Sequence, residues 1–298
     1  MSINISHLDF YYNKGGKMEK HALKDVTLHI DKGDFFGIIG HTGSGKSTLI
    51  QHFNGLIMPQ SGSVTTAGIE VTPKSGDLKM LRAKCGMVFQ YPEYQLFGET
   101  VAEDIAFGLI NFRGRKSDKN PNGVTSEEIN ESVREAMELV GLPFKEYAKR
   151  SPFQLSGGQK RRAAIAGIIV TKPEILVLDE PSSGLDPKGK QEILSLLREL
   201  KKTTCETVVM ISHDMDEIAE NCNKVAVIEN GEVSMCDTPE RLFENDEKLI
   251  SLGLDIPIIA KVRNALKKEK GIDVPYSNNF RDFAKSVATA LKAGGELK

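Results

Sequence analysis

The run Phe35–Thr48, "FFGIIGHTGSGKST", decides the fold. Its first part is a short unbroken apolar stretch, which predicts a strand buried on both faces of a sheet. It passes into Gly40-His41-Thr42-Gly43-Ser44-Gly45-Lys46-Ser47, a full match to G-x-x-x-x-G-K-[ST], with Thr48 following. "KSTLIQHFNGL" then reads as a helix ended by Asn54-Gly55. The glycines let the backbone turn its N–H groups inward toward phosphate oxygens, and the helix opening at Lys46 adds the positive end of its dipole. In a loop of this kind Lys46 reaches the β- and γ-phosphates of ATP, and the Ser47 hydroxyl ligates Mg²⁺.

Further strand ends converge on the same edge. "EILVLDE" buries Ile175 to Leu178 and delivers Asp179 and Glu180 to the C-terminal end of a strand, where open α/β sheets bind ligands. Neighbouring carboxylates on a strand point to opposite sides, so different tasks are expected: Asp179 on Mg²⁺ and Glu180 on the attacking water. His213 ends the apolar run "VVMISHD" and is placed to donate to the γ-phosphate. Gln90, at the end of "CGMVFQ", is an amide suited to contact Mg²⁺ or the water and to report γ-phosphate occupancy.

Outward from this core, Ile3, Ile5, Leu8 and Phe10, and then Val26, Leu28 and Ile30, alternate with polar residues, as in half-buried antiparallel strands. Between Glu99 and Val170 the period turns helical, with Thr125 and Glu128 spaced as a capping box and a stop at Gly141. Strands and helices alternate again until "KVAVIENGEVSM", which reads as a hairpin turning at Asn230-Gly231. A helical tail starts near Thr238-Pro239. In it Ile258, Ile259, Val262 and Leu266 form an apolar stripe expected to pack against the core. The expectation is an α/β P-loop NTPase: a mostly parallel, RecA-like core with an antiparallel β subdomain, a helical insertion and a C-terminal helical tail. The nucleotide-binding domain covers residues 1–235, with the insertion at about 95–170, and the extension covers 236–298.

Composition narrows the partners. Lys+Arg 39 against Asp+Glu 41 gives a net charge of -2 over 298 residues, which argues against nucleic acid held by bulk electrostatics. Cys85, Cys205, Cys222 and Cys236 lack C-x-x-C spacing, so free thiols in a reducing compartment are expected. Neither a secretory signal nor a membrane-spanning run is read, so any membrane role is peripheral, from the cytoplasmic face.

With "GHTGSGKST", Gln90, "LSGGQ", "ILVLDE", "SGLD" and His213 in that order, the chain resembles an ATP-binding cassette ATPase over essentially residues 1–235. The resemblance implies a head-to-tail pair, in which the "LSGGQ" of one chain closes over ATP held by the other. Ser156, Gly157 and Gly158, at a helix N-terminus, then offer N–H groups and a hydroxyl to the γ-phosphate. Gln159 completes the signature and Asp186 lies between the two sites. An aromatic residue on the first strand stacks on adenine: Tyr12, favoured by "F-x-Y", or Tyr11. "FQYPEYQLFGETVAEDIAFG" and "SPFQLSGGQKRRAAIAG" are similar to the ATPase subunits of energy-coupling factor transporters, and "GHTGSGKS" to the second of their two paralogous ATPases. This implies a paralogous ATPase as partner, with a second copy of this chain as the alternative. It also implies a transmembrane coupling subunit, a substrate-binding membrane subunit, and uptake of vitamins or transition-metal ions. The groove after Gln90, with Glu93 and the helix from Thr100, is expected to receive the coupling subunit. Another ABC importer ATPase is the alternative reading. A nucleic-acid or ribosome-handling cassette would need doubled cassettes, coiled coils or basic linkers that the sequence lacks.

Overall fold

The computed structural model describes residues 2–73, 78–244 and 246–293. The first strands are β1 (Ile3–Tyr12), β2 (Lys20–Ile30), β3 (Phe35–Ile39), β4 (Ser61–Thr66), β5 (Ile69–Glu70) and β6 (Cys85–Val88). After a helical stretch come β7 (Ile175–Asp179), β8 (Thr207–Ile211), β9 (Lys224–Glu229) and β10 (Glu232–Asp237). They form two sheets. One is antiparallel, in the order β2-β1-β4-β5; the other has the order β10-β9-β3-β8-β7-β6, parallel throughout except where β10 folds back on β9. That turn is made at Asn230 (φ 49) and Gly231 (φ 89), both left-handed as a tight hairpin requires.

Burial follows the two periods. Every residue of β3, β7 and β8 is buried, whereas β1 alternates. Phe36, Ile38, Val177 and Val209 face the antiparallel sheet, and Phe35, Ile39, Leu178 and Met210 face the helices on the other side. The parallel sheet is thus the wall between two apolar cores.

The helices are α1 (Lys46–Phe53), α2 (Leu78–Lys84), α3 (Val101–Arg113), α4 (Ser126–Leu139), α5 (Phe144–Tyr147), α6 (Gly157–Ile169), α7 (Pro187–Thr203) and α8 (Met215–Asn221). α4 has its capping box: the Glu128 N–H donates to Thr125 Oγ1 at 3.1 Å, and the Thr125 N–H to Glu128 Oε2 at 2.7 Å. The chain leaves it through Gly141 at φ 71. None of the described helices is long and apolar enough to cross a membrane.

The tail forms α9 (Pro239–Glu244), α10 (Asp246–Ser251), α11 (Ile258–Lys270) and α12 (Phe280–Ala293). Here one expectation is corrected. The stripe on α11 is only partly its buried face: Ile258 is 56% exposed and Val262 41%, Ile259 and Leu266 are half-buried, and Ala260 and Arg263 are buried. The reason is Arg263, whose guanidinium donates to the Val274 carbonyl at 2.9 Å and to Glu244 at 2.8 Å. That ion pair and hydrogen bond hold Arg263 on the inner face of α11.

Candidate nucleotide site

Gly40 holds the loop to the sheet. A Cβ there would lie 2.2 Å from the Ile228 carbonyl oxygen and 2.7 Å from Ser44 Oγ, so only glycine permits this approach. Gly45, at φ 110, delivers the chain into α1. Lys46 is buried, its ammonium donating to the carbonyls of Gly40 (2.7 Å) and His41 (2.9 Å). Burial lowers its pKa from the usual lysine range, against the opposing pull of the Glu180 and Asp179 carboxylates. Ser44 Oγ is buried without a hydrogen-bond partner among the described residues. A cradle with a shielded cation and an unused hydroxyl fits an incoming triphosphate. Beside it, Gly43, Ser47 and Thr48 line a small cleft of about 120 Å³ with Tyr12, Lys20 and Ala22. His41 and Thr42 form the outer bend of the loop, where the His41 ring contacts the Thr42 carbonyl at 2.9 Å.

Asp179 ends β7 and is hydrogen-bonded to the Ser47 side chain; burial raises its pKa above the ordinary carboxylate value, partly offset by that bond. The Ser47 hydroxyl and the Asp179 carboxylate are an oxygen pair suited to Mg²⁺, while the Gln90 amide nitrogen donates to the neighbouring Glu180. Glu180 has left the strand. Its φ is 50, so it is this left-handed turn, rather than strand alternation, that parts the two acids. Glu180 Oε1 lies 3.0 Å from His213 Nε2, and Oε2 accepts from Gln90 Nε2 at 2.9 Å. The four residues from β6, β7 and β8 therefore meet beside the loop that follows β3.

The aromatic pair on β1 divides clearly. The Tyr12 hydroxyl lies 3.1 Å from Thr48 Oγ1 at the cleft. Tyr11 stacks on His21, ring centroids 3.8 Å apart, and its backbone is held by Gln60.

The signature residues stand elsewhere on the surface. Ser156 caps α6, accepting from the Gln159 N–H at 3.3 Å, while Gln159 Oε1 accepts from the Ser156 N–H at 2.9 Å. Ser156 and Gly157 are exposed, and a Cβ added at Gly157 or Gly158 would meet nothing within 4 Å. Asp186 is exposed too and caps α7 by accepting from the Gly189 N–H at 3.0 Å.

Sequence reasoning passed over Arg161. This α6 residue is 2% exposed and donates to the carbonyls of Pro181 (3.0 Å) and Ser183 (2.8 Å), just after Glu180. It also pairs with Glu93 at 3.3 Å, so Glu93 is engaged inward. The groove after Gln90 is lined instead by Phe89, Phe97, Phe107 and Phe112, about 290 Å³ in volume, with Phe97 and Phe107 exposed.

A phosphate cradle at the end of a buried strand, with an acid pair, a glutamine and a histidine from neighbouring strands, defines a P-loop ATPase. A sequence profile of the ABC transporter family matches residues 23–183. The energy-coupling factor transporter ATP-binding protein EcfA2 of Acetivibrio thermocellus is 48% identical over 297 residues, covering 100% of this chain and 98% of its own. The EcfA2 of Caldanaerobacter subterraneus is 47% identical over 275 residues, 92% of each chain. Among solved structures, CbiO1 of Clostridium perfringens, described as part of the ABC transporter complex CbiONQ, superposes with a TM-score of 0.71 at 34% identity, covering 88% of this chain and 98% of that one. A dimeric cassette, MJ0796 bound to ADP and Pi, gives 0.68 at 31% identity, covering 79% and 98%. The chain belongs to the ABC transporter family, in its energy-coupling factor branch, as an ATP-hydrolysing subunit.

Proposed function

We propose that the chain works as half of a two-subunit clamp on ATP, beneath a membrane complex that imports vitamins or transition-metal ions. Residues 1–235 are the cassette, with its insertion at about 95–170, and 236–298 the extension. Tyr12 stacks on adenine. Lys46 exchanges its carbonyl partners for the β- and γ-phosphate oxygens, and the N–H groups of Gly40 to Thr48 surround them. Ser47, Asp179 and Gln90 hold Mg²⁺, whose contribution when bound is to neutralise charge on the phosphates. Glu180 positions and polarises the water, and His213 donates to the γ-phosphate as charge builds.

The observation that carries the two-subunit reading is the pair Gly157 and Gly158. Glycine forms helix less well than alanine, by up to about 0.5–1 kcal/mol in a helix interior, and these two stand in the first turn of α6. Neither residue has a positive φ, and neither is crowded within the chain. The small size is therefore explained by something arriving from outside: the triphosphate on a second ATPase, against which Ser156 turns the proton its capping bond leaves free. Gln159 holds that cap, and Asp186 lies between the two sites. The second ATPase is the paralogue, by resemblance to the two-ATPase complexes, and the pair sits on the cytoplasmic face of the membrane.

The aromatic groove takes a helix of the transmembrane coupling subunit, which in turn holds the substrate-binding subunit. Arg161 then ties movement at Glu93 to the turn after Glu180. Charge reversal at Glu93 tests this. Glu93→Lys is expected to bind ATP normally yet to lose transport in membranes. Unchanged transport and assembly would contradict the coupling role.

A further inference from the structure

Glu217 of α8 is 5% exposed and takes no part in the roles assigned above. One of its oxygens, Oε2, accepts two hydroxyl donors: Ser182 Oγ at 2.6 Å and Ser212 Oγ at 2.9 Å. Ser182 lies two positions after Glu180, and Ser212 immediately precedes His213. The two turns that carry the reacting pair are thus fastened to a single carboxylate oxygen.

The rest of the network sets a cation beside the other carboxylate oxygen, which has no hydrogen-bond partner among the described residues. Lys190 of α7 stands 3.6 Å from Glu217 Oε1 and 3.1 Å from Asp214 Oδ2. Asp214 caps α8 by accepting from the N–H groups of Asp216 and Glu217, and its own N–H donates to Ser212 Oγ at 3.0 Å. A buried carboxylate is sustained only when paired and hydrogen-bonded. Hydroxyl donors to an ionised acceptor are short and roughly twice as strong as neutral ones. From the opposite side Arg161 grips the Pro181 and Ser183 carbonyls, so the segment after Glu180 is held on both flanks.

We propose that Glu217 is a positioning residue that sets the separation of Glu180 and His213 by tethering Ser182 and Ser212 to one oxygen. It rests on the assignment of Glu180 and His213 to the γ-phosphate. Misplacing a reacting group by about 1 Å costs on the order of 10²-fold in rate, so a tether of this kind acts on turnover. Nucleotide binding is untouched, because Lys46 and Tyr12 lie outside the network.

The test compares Ser182→Ala, Ser182→Thr and Glu217→Gln in the full chain, with ATPase measured in the complex purified from membranes and His213 ring resonances read by NMR on the full chain. Ser182→Ala and Glu217→Gln are expected to lower kcat by about tenfold or more, with the KM for ATP within about twofold of the parent. Their His213 ring signals shift. Ser182→Thr keeps the hydroxyl and is expected to keep both kcat and the ring signals. The proposal is overturned if the ring signals stay fixed in Ser182→Ala and Glu217→Gln, or if Ser182→Thr is impaired as much as Ser182→Ala. Ring signals that move as expected with kcat unchanged uphold the tether and instead remove Glu180 and His213 from the chemistry.

Discussion

His213 Nε2 lies 3.0 Å from Glu180 Oε1, and the second oxygen of the same carboxylate accepts from Gln90 at 2.9 Å. Glu180 is therefore the point where three strand ends are joined, held at φ 50 by a turn whose N–H still donates to the Ile211 carbonyl of β8 at 3.1 Å. A left-handed non-glycine residue is costly unless its surroundings fix it, and such residues cluster at functional sites. Replacing Glu180 by Gln keeps the size and the contact with His213 but removes the carboxylate proposed as the base. The variant is expected to bind ATP with parent affinity and to turn over at least about 10²-fold more slowly. Steady-state hydrolysis beside a nucleotide-binding titration checks both halves.

Gly158→Ala should separate stability from activity. In the isolated subunit the new methyl meets open space and favours the helix, by at most about 0.5–1 kcal/mol because Gly158 stands in its first turn. Thermal denaturation should show an equal or higher melting temperature. ATP hydrolysis in the complex should fall by about tenfold or more, because in the proposed clamp the methyl meets the second subunit's triphosphate.

Tyr12 and Tyr11 are told apart by their neighbours. Tyr12→Ala is expected to raise the KM for ATP about tenfold, the usual size of a lost stacking contact, with kcat little changed. Tyr11→Ala should leave KM alone and lower the melting temperature, since its ring is spent on His21.

How much of this was legible follows from the range of each interaction. The phosphate loop, the acid pair, the hairpin at Asn230-Gly231 and the capping box at Thr125 are local, so spacing alone shows them. Arg161 meets Glu93 across 68 positions and Glu217 meets Ser182 across 35, and no local pattern encodes such pairings. The left-handed Glu180 was equally hidden, because "LDE" reads as continuing strand. α11 was legible only in part for a related reason: its inner face includes a buried arginine that amphipathic counting scores as surface. α12 falls within the expected helical tail, and its own spacing supports it. Phe280, Phe283, Val287 and Leu291 keep helical spacing, and Phe283 is buried.

His52 gives the domain an acid limit. Buried on α1 with Nδ1 donating to the Thr48 carbonyl at 2.8 Å and its ring against Phe10, it has a pKa pushed down to about 4 by burial. The unfolded chain takes up this proton near 6.5 and the folded one does not until about 4. Its contribution is therefore present in full above pH 6.5 and is lost as pH falls toward 4, on the order of 3 kcal/mol in total. Denaturant midpoints for the parent and His52→Leu should diverge across that window, with the parent falling faster on acidification.

The most direct measurement is the structure of the Glu180→Gln complex with ATP and Mg²⁺, determined by electron cryo-microscopy. The triphosphate is expected to lie on Lys46 and Ser47 of one ATPase while a Ser-Gly-Gly turn from its mate reaches the γ-phosphate, with Ser156 of this chain doing the same in return. ATP enclosed by one protomer alone, with Ser156 facing solvent in the nucleotide-loaded complex, would contradict the shared clamp.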